Sequence, residues 1–347
     1  MNGRASLGKR KLGICFGPAS GLSVGQLIPL AQRAEGASFD SIWTGEFGND
    51  CLAWVQAFAS VTKSCRVGSS IVNIFLRHPV VVAAAGAVIA ELSGSRLILG
   101  LGTSHRRIIE ESLGLAMARP LEYLEEYVQV IKAVLTGKPV YHQGSFFRVE
   151  GYRLGTGANH SDLPIYVAAL GLTAAERAAR YADGVLLTLT PPEYEYELVQ
   201  RLQNSAKSAG RDPNAIEVVQ IVPCFISNDS EAAAMAPRRM ICRYTALPFY
   251  GDMFAKAGFQ QEVASIREAL AAGDTPRAWQ AVSRSMLEAL AAVGDWAACQ
   301  QTIELHQQAG AHSVILYPNA VDSDEKIAWY EAIRVLLDSY GSEVQVS

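Results

Sequence analysis

Two short segments, each at the end of a strand-like run, carry side chains that could take part in a reaction. His105 gains or loses a proton near neutral pH, which suits general acid–base chemistry, and the amide of Asn73 can hydrogen-bond the polar edge of a ring system. If the two strands are parallel neighbours, their carboxyl ends open on the same face. The residues then expected to lie together are Ser70, Ile71, Val72, Asn73, Gly102, Thr103, Ser104 and His105.

Three further places are candidates for binding or catalysis. Glu46 follows a short strand-like run, where it could hold the edge of a ring, act as a base, or accept hydrogen bonds from backbone amides. In the segment Gly171–Thr173, Thr173 has capping-box spacing with Glu176, and free amides at a helix start can bind an anion. A capping box without a ligand is the alternative. Thr188 ends a strand and could contact either a cofactor or the substrate.

Composition excludes several classes of protein. The chain has 347 residues, of which 50% are hydrophobic and 18% charged, so it can bury a large core and is not a disordered chain. A net charge of -4 gives no general attraction to nucleic acid or to anionic membranes. The longest apolar run, Pro79–Ala90, is too short to cross a bilayer, and the amino terminus lacks a signal-peptide core. We therefore expect a cytoplasmic enzyme that acts on a small molecule.

The six cysteines contain no CxxC pair and have no neighbouring histidine at zinc-ligand spacing. No metal site is therefore expected. Because free cysteine packs as a small hydrophobic residue, we expect reduced and mostly buried thiols.

Strand-like and helix-like segments alternate along the chain. The strands are continuous apolar runs, which are typical of a parallel sheet buried on both faces. Ser23 can cap a helix that runs to Gly36. A (β/α)8 TIM barrel has eight parallel strands, and this is the α/β fold that we expect. The predicted strands are Leu12–Phe16, Ser41–Trp43, Arg66–Ser70, Leu97–Leu101, Pro164–Ala168, Gly184–Leu189, Ile216–Ile226 and Ser313–Tyr317.

The chain is longer than the roughly 250 residues of a typical barrel, so a single domain spanning residues 1–347 has room for insertions. One is expected at about residues 138–163, where Val140–Val149 alternates like a β-hairpin that turns near Gln143 and Gly144. The other is expected at about residues 236–292. It is helical in pattern, carries aromatic residues such as Tyr244 and Tyr250, and interrupts the seventh strand–helix unit.

Several segments, taken in order, resemble the bacterial luciferase-like superfamily. Within it the chain is most similar to the deazaflavin branch, which depends on coenzyme F420 and includes methylenetetrahydromethanopterin reductase and the deazaflavin type of glucose-6-phosphate dehydrogenase. No single motif carries the likeness, but the ordered set covers nearly the whole chain. The segments are Asp40–Glu46, Asn73–Pro79, Leu92–Arg96, Leu99–Thr103, Arg119–Tyr123, Tyr166–Ala169 and Ala182–Gly184.

The resemblance implies a barrel with coenzyme F420, or alternatively FMN, lying over the strand ends. It implies a bulge with a non-prolyl cis peptide at Ser70–Ile71 behind the cofactor ring, and a phosphate-bearing tail near Gly171, Leu172 and Thr173. The implied activity is hydride transfer to or from a small organic substrate. An FMN-dependent monooxygenase is the alternative, and a non-catalytic flavin-binding barrel is a third reading. The superfamily also favours a homodimer.

Two departures from the deazaflavin sugar-phosphate enzymes concern proton transfer. In those enzymes a histidine follows the acidic residue of the second strand, whereas here Phe47 follows Glu46. They carry glutamate after the fourth strand, where this chain has His105. We therefore expect a substrate other than that sugar phosphate. The expected proton-transfer group is His105, with Glu46 as the alternative.

Overall fold

Strands alternate with helices through the computed structural model, which describes residues 11–227, 230–321 and 325–346. In chain order the strands are β1 (Lys11–Cys15), β2 (Ser41–Thr44), β3 (Arg66–Ser69), β4 (Val72–Asn73), β5 (Leu97–Gly102), β6 (Val140–Gln143), β7 (Arg148–Tyr152), β8 (Ile165–Ala168), β9 (Gly184–Thr188), β10 (Glu217–Ile226), β11 (Ala292–Gly294) and β12 (Ser313–Pro318).

Eight of these strands form a closed parallel barrel in the order β1, β2, β3, β5, β8, β9, β10 and β12. The ring closes because β12 pairs with both β10 and β1. This arrangement confirms the predicted (β/α)8 TIM barrel, and each predicted strand agrees with the observed one to within a residue at either end. The short strand β11 pairs with the carboxyl end of β10, from Cys224 to Ile226.

The barrel strands are buried on both sides, which explains their continuous apolar sequences. Outward side chains pack against the helices, while inward ones form a separate small core. Gly68 leaves the space that the Trp43 indole occupies, since a Cβ on Gly68 would lie 2.3 Å from that ring. The inner core consists of Cys15, Trp43, Ile98, Tyr166, Leu186, Val219, Ile221 and Ile315.

The helices begin where local chemistry favours a helix start. The Ser23 hydroxyl accepts the Gln26 N–H and the Gln26 side chain accepts the Ser23 N–H, so the predicted cap of α1 is confirmed as a capping box. The helices are α1 (Val24–Gly36), α2 (Cys51–Val61), α3 (Pro79–Ser93), α4 (Pro120–Leu135), α5 (Leu172–Ala178), α6 (Pro192–Ser208), α7 (Ser230–Thr245), α8 (Pro248–Phe254), α9 (Gln260–Ala271), α10 (Thr275–Gln280), α11 (Arg284–Leu290), α12 (Trp296–Ala309) and α13 (Lys326–Val346).

Two departures from a plain barrel lie in the stretches where insertions are expected. The predicted hairpin is present, with β6 antiparallel to β7 and a turn closed by the Gly144 N–H donating to the Phe147 carbonyl at 2.9 Å. The Glu126 carboxylate of α4 anchors this turn by accepting the Phe147 N–H at 2.8 Å. The helices α7 to α11 lie between β10 and β11, as the helical pattern of residues 236–292 predicts.

A charged network closes the amino-terminal end of the barrel. The Arg66 guanidinium donates two hydrogen bonds of 3.0 Å to the Glu217 carboxylate, which also accepts the Tyr166 hydroxyl at 2.6 Å. Burial by itself raises the pKa of Glu217, but the bonds and charge of Arg66 outweigh burial and bring the pKa down to about 2. The network ties β3, β8 and β10 together at the end opposite the candidate site.

The cysteine side chains lie inside the fold. All six cysteines are buried and free, as predicted. In the described ranges, no helix combines the length and the apolar character that a membrane span would need.

Candidate active site at the carboxyl ends of the strands

The third barrel strand contains a bulge at its carboxyl end. Before the bulge, Val67 pairs with Leu97 of β5, and after it Val72 pairs with Leu101, so the third strand holds one residue more than β5 over this interval. The Ser70–Ile71 peptide within the bulge is cis, as the resemblance implies. The Ser70 N–H donates to the carbonyl of Thr44 on β2 at 2.7 Å.

Glycines on β5 allow the bulged strand to approach closely. A Cβ on Gly100 would lie 1.9 Å from the Ser69 carbonyl oxygen, and one on Gly102 would lie 2.8 Å from Cγ1 of Ile71. Any larger residue at these two positions would therefore push the third strand away from β5. Gly102 and Asn73 are register partners, so the structure brings the two predicted segments together at one strand end.

Glu46 is buried at this end and its carboxylate is fully engaged. It accepts the backbone N–H of Asn73 at 2.7 Å and forms an ion pair of 2.5 Å with Arg77, which also pairs with Asp50 at 3.1 Å. Its side chain is only 4% exposed. These contacts fit one of the three roles considered for Glu46, that of an acceptor for backbone amides.

Asn73 is also buried, and its side-chain oxygen accepts the N–H of Phe75 at 3.1 Å. The preceding residue, Val72, is buried in the main core. Both residues therefore support the bulge from below. Ile71 is half-buried and packs against the inner core of the barrel, so it presents an apolar surface at the strand ends.

His105 lies just beyond β5 and is half-buried. Its ring centroid is 5.8 Å from that of Tyr250, which the helical insertion supplies. Burial lowers the pKa of His105 below its ordinary value, so the imidazole is neutral at pH 7 and can accept a proton. Within the described residues the imidazole makes no hydrogen bond or ion pair to another side chain.

The two arginines that follow His105 point away from it into ion pairs. Arg106 pairs with Glu110 and also donates to the Met117 carbonyl at 3.1 Å, while Arg107 pairs with Glu111 at 3.5 Å. Both arginine side chains are more than half exposed, at 61% and 77%. They are solvated charges with local partners.

The structure corrects the capping box proposed for the segment after β8. Helix α5 begins at Leu172 with Gly171 as its N-cap and no side-chain cap, so Thr173 is already inside the helix. Thr173 cannot cap because its backbone has helical geometry, whereas an N-cap residue is extended. Gly171 has open space around it. Thr188 lies at the carboxyl end of β9 and is half-buried.

Tyr244 and Tyr250 were expected in the helical insertion, but the packing of Tyr250 against His105 was not predicted from the sequence. Tyr250 is 4% exposed and makes an edge-to-face contact of 4.8 Å with Tyr244. In the inner core of the barrel, the Cys15 thiol lies 3.7 Å from the Ser70 hydroxyl. The aromatic content of residues 236–292 was a visible signal, but the sequence does not tell which strand end these residues contact.

The fold and the strand-end constellation together define a (β/α)8-barrel protein whose candidate site has a bulged third strand and a buried acidic support. The chain belongs to the luciferase-like monooxygenase family, whose sequence profile matches residues 14–313. This membership confirms the superfamily resemblance drawn from the ordered segments.

Curated proteins that are similar in sequence are named as reductases and as a dehydrogenase. The chain is 28% identical to a 5,10-methylenetetrahydromethanopterin reductase of Methanolobus tindarius, over 76% of this chain and 79% of that protein. It is 26% identical to the reductase of the same name from Archaeoglobus fulgidus, over 80% of this chain and 83% of that protein. A coenzyme F420-dependent glucose-6-phosphate dehydrogenase of Nakamurella multipartita is 29% identical over 64% of this chain and 68% of that one.

Solved structures have the same fold. The coenzyme F420-dependent tetrahydromethanopterin reductase of Methanopyrus kandleri superposes with a TM-score of 0.78 at 22% identity, covering 95% of this chain and 98% of that one. An F420-dependent secondary alcohol dehydrogenase superposes with a TM-score of 0.74 at 18% identity, covering 95% of this chain and 98% of that one. At these identities the superpositions establish the fold.

Proposed function

We propose that this chain is an oxidoreductase that uses the deazaflavin coenzyme F420 to transfer a hydride to or from a small organic substrate. The observation that carries the proposal is the bulged strand end, where Ile71 and Gly102 lie together next to the half-buried segment Thr103–His105. The names of the curated relatives support the choice of coenzyme.

The residues at the strand ends fit a flat ring with a phosphate-bearing tail. Ile71 provides an apolar surface behind one face of the ring. Thr103, Ser104 and Thr188 are half-buried polar residues that can hydrogen-bond its edge. Gly171 provides no side-chain cap for α5. The Tyr194 hydroxyl bonds the Leu172 backbone, so it is the other backbone amides of the first turn that can face a phosphate group. Val72 and Asn73 hold the bulge rather than touch the ring.

When bound, the deazaflavin supplies the hydride acceptor or donor. The protein then has to orient the ring and substrate and to move a proton. We assign the proton transfer to His105, because its neutral, unpaired imidazole can accept a proton from a substrate group. Glu46 is the weaker candidate, since both of its carboxylate oxygens already have partners. Its proposed role is to position the strand end that supports the ring.

The family name keeps an FMN-dependent monooxygenase as the second candidate. Titration of the purified apoprotein with coenzyme F420 and with FMN, followed by fluorescence, separates the two. We expect clearly tighter binding of the deazaflavin. If FMN binds at least tenfold tighter, the monooxygenase replaces our first choice. A protein that binds either coenzyme but never turns over a carbonyl, imine or alcohol series would be a binding barrel.

We also propose that the protein is a homodimer, and helix α3 supports this assignment. Val81, Val88 and Leu92 are each about half exposed, at 54%, 53% and 48%, and their spacing places them on one face of the helix. No charged residue interrupts Pro79–Ala90. The α3 face of a second copy of the chain is an apolar surface that could cover the α3 face of the first.

Light scattering after size exclusion tests the dimer. We expect the mass of two chains for the unmodified protein and of one chain for Val88→Glu. The matched control is Val335→Glu on α13, which is exposed to a smaller extent, 37%, and lies outside the α3 face. A monomeric unmodified protein, or a dimeric Val88→Glu variant, would contradict the proposal.

The remaining proposed properties concern location and partners. We propose a cytoplasmic protein, supported by its six buried free thiols, which fractionation of expressing cells would test. We propose a small-molecule substrate and no nucleic-acid partner, supported by the net charge of -4. Absence of a mobility shift with DNA or RNA at low salt is the expected result.

A further inference from the structure

The helical insertion crosses the mouth of the barrel. Its helices leave the barrel after β10 and return at β11, which pairs with β10 and is followed by α12 and β12. Tyr250 of α8 nevertheless contacts His105, which follows β5. In the barrel β5 is separated from β10 by β8 and β9, and from β12 by β1, β2 and β3. A contact between α8 and the end of β5 therefore requires that this part of the insertion reach across the strand ends.

The Tyr250 ring is held firmly in that place. It is 4% exposed, contacts Tyr244 of α7 edge to face at 4.8 Å, and lies 6.1 Å from the fully buried Phe254. Proline at the first position of α8 presets the start of this helix. The position of Tyr250 is thus set by its own packing and does not depend on the loop that carries His105.

We propose that Tyr250 is a positioning residue for His105: its ring covers one side of the imidazole, excludes water from that side and fixes the direction of the unpaired ring nitrogens. The proposal rests on the proposed function only in treating His105 as the proton-transfer group. Tyr250 itself exchanges no proton with the substrate in this account. It acts through the hydration and orientation of His105.

The surrounding charges leave this packing as the main influence on the imidazole. On its own segment, Arg106 and Arg107 are paired with Glu110 and Glu111. On α8, Asp252 pairs with Arg267 at 3.0 Å. On α7, the charge of Arg243 acts on the phenol of Tyr244, while burial is the cause found for His105. Burial is the cause of the lowered pKa of His105, so removing the ring that buries it should bring the pKa back toward its ordinary value.

The test compares two substitutions of Tyr250 with one matched control. Tyr250→Phe keeps the ring and removes only the hydroxyl, whereas Tyr250→Leu removes the ring. The control is Phe249→Leu, an aromatic side chain on the same helix that is 74% exposed. Titration of the histidine ring protons by NMR, with the His105 signal identified by its loss in His105→Gln, gives the pKa in each protein without coenzyme or substrate.

We expect the His105 pKa to rise in Tyr250→Leu by at least half a unit, and to stay unchanged in Tyr250→Phe and Phe249→Leu. An unchanged pKa in a folded Tyr250→Leu protein would overturn the proposal. If Tyr250→Leu does not fold, the Tyr250→Phe protein decides: a shifted pKa there would mean that the hydroxyl, not the ring, controls His105. Because these measurements use the apoprotein, they stand even if the coenzyme proves to be different.

A kinetic measurement adds a second readout on the loaded enzyme. Misorientation of His105 should lower kcat by about tenfold or more in Tyr250→Leu with KM changed less than threefold, and Tyr250→Phe should restore kcat. A loss confined to KM would instead mean that Tyr250 binds substrate and would contradict the positioning role.

Discussion

The Glu46 carboxylate accepts the backbone N–H of Asn73 at 2.7 Å, and this bond ties the end of β2 to the bulged end of the third strand. The same carboxylate is paired with Arg77 at 2.5 Å and is nearly inaccessible to solvent. A buried carboxylate with both a charged and a backbone partner fixes the local geometry. The acidic residue at this strand end is therefore a support for the site.

Glu46→Gln should weaken that support. The amide keeps an acceptor for the Asn73 N–H but removes the charge that faces Arg77, so we expect the free energy of unfolding to fall by about 2 kcal/mol. Coenzyme affinity should fall with it. The control is Glu150→Gln, whose pair with Arg148 is exposed and should cost less than about 0.5 kcal/mol. Denaturant unfolding measures both; equal stability of the two variants would contradict the prediction.

His105→Ala should lower the single-turnover rate by roughly two to four orders of magnitude, the usual scale for the loss of general acid–base help. Coenzyme affinity should be nearly unchanged, because the side chain acts on the substrate. Stopped-flow measurement with a surrogate carbonyl, imine or alcohol series checks the rate. A full rate across pH 6 to 8 would reject the assignment and return attention to Glu46 or to a group on the substrate.

The pH dependence of the reaction follows from the lowered pKa of His105. Because burial disfavours the imidazolium, the ring is neutral at pH 7 and remains a proton acceptor down to a pH below the ordinary histidine value of about 6.5. Oxidation of substrate should therefore be constant between pH 7 and 8 and should fall only on acidification below about 6.5. A rate that falls as the pH rises through 7 would show that the protonated form is the active one.

Gly171→Asp tests the phosphate contact at the start of α5. Aspartate is a favourable N-cap, so the helix should be retained, while its charge should repel a phosphate and raise the coenzyme Kd by about tenfold, or about 1.4 kcal/mol. Gly171→Asn is the matched control because asparagine also caps helices but is neutral. Fluorescence titration measures both; equal Kd values for the two variants would place the phosphate elsewhere.

Glu217→Gln should destabilise the protein through the opposite end of the barrel. The carboxylate is held charged by Arg66, with a pKa of about 2 in the folded protein against an ordinary value near 4.5. Its contribution is therefore complete above pH 5 and is lost as the pH falls from about 4.5 toward 2. We expect a loss of about 2 kcal/mol at pH 7 and a smaller difference at pH 3. A difference that is the same at both pH values would contradict this account.

Much of the fold follows from the sequence because its elements are defined by local patterns. The barrel strands are buried on both faces, so each is a continuous apolar run of the length seen, and Ser23 caps α1 by bonds to a residue three positions along. The hairpin in Val140–Val149 likewise follows from alternation around a short turn. The cis Ser70–Ile71 peptide was predicted from the family resemblance, since no local pattern of these two residues requires it.

Tertiary structure decided how the candidate site residues are used. Glu46 looked equally able to bind a ring, act as a base or accept amides, and its burial beside Arg77 and Asn73 selected the last role. Thr173 had the spacing of a cap, but the end of β8 placed Gly171 at that position. The contact of Tyr250 with His105 depends on the path of a whole insertion across the barrel. Such choices depend on which distant groups exclude water or satisfy a charge, and a sequence pattern records only near neighbours.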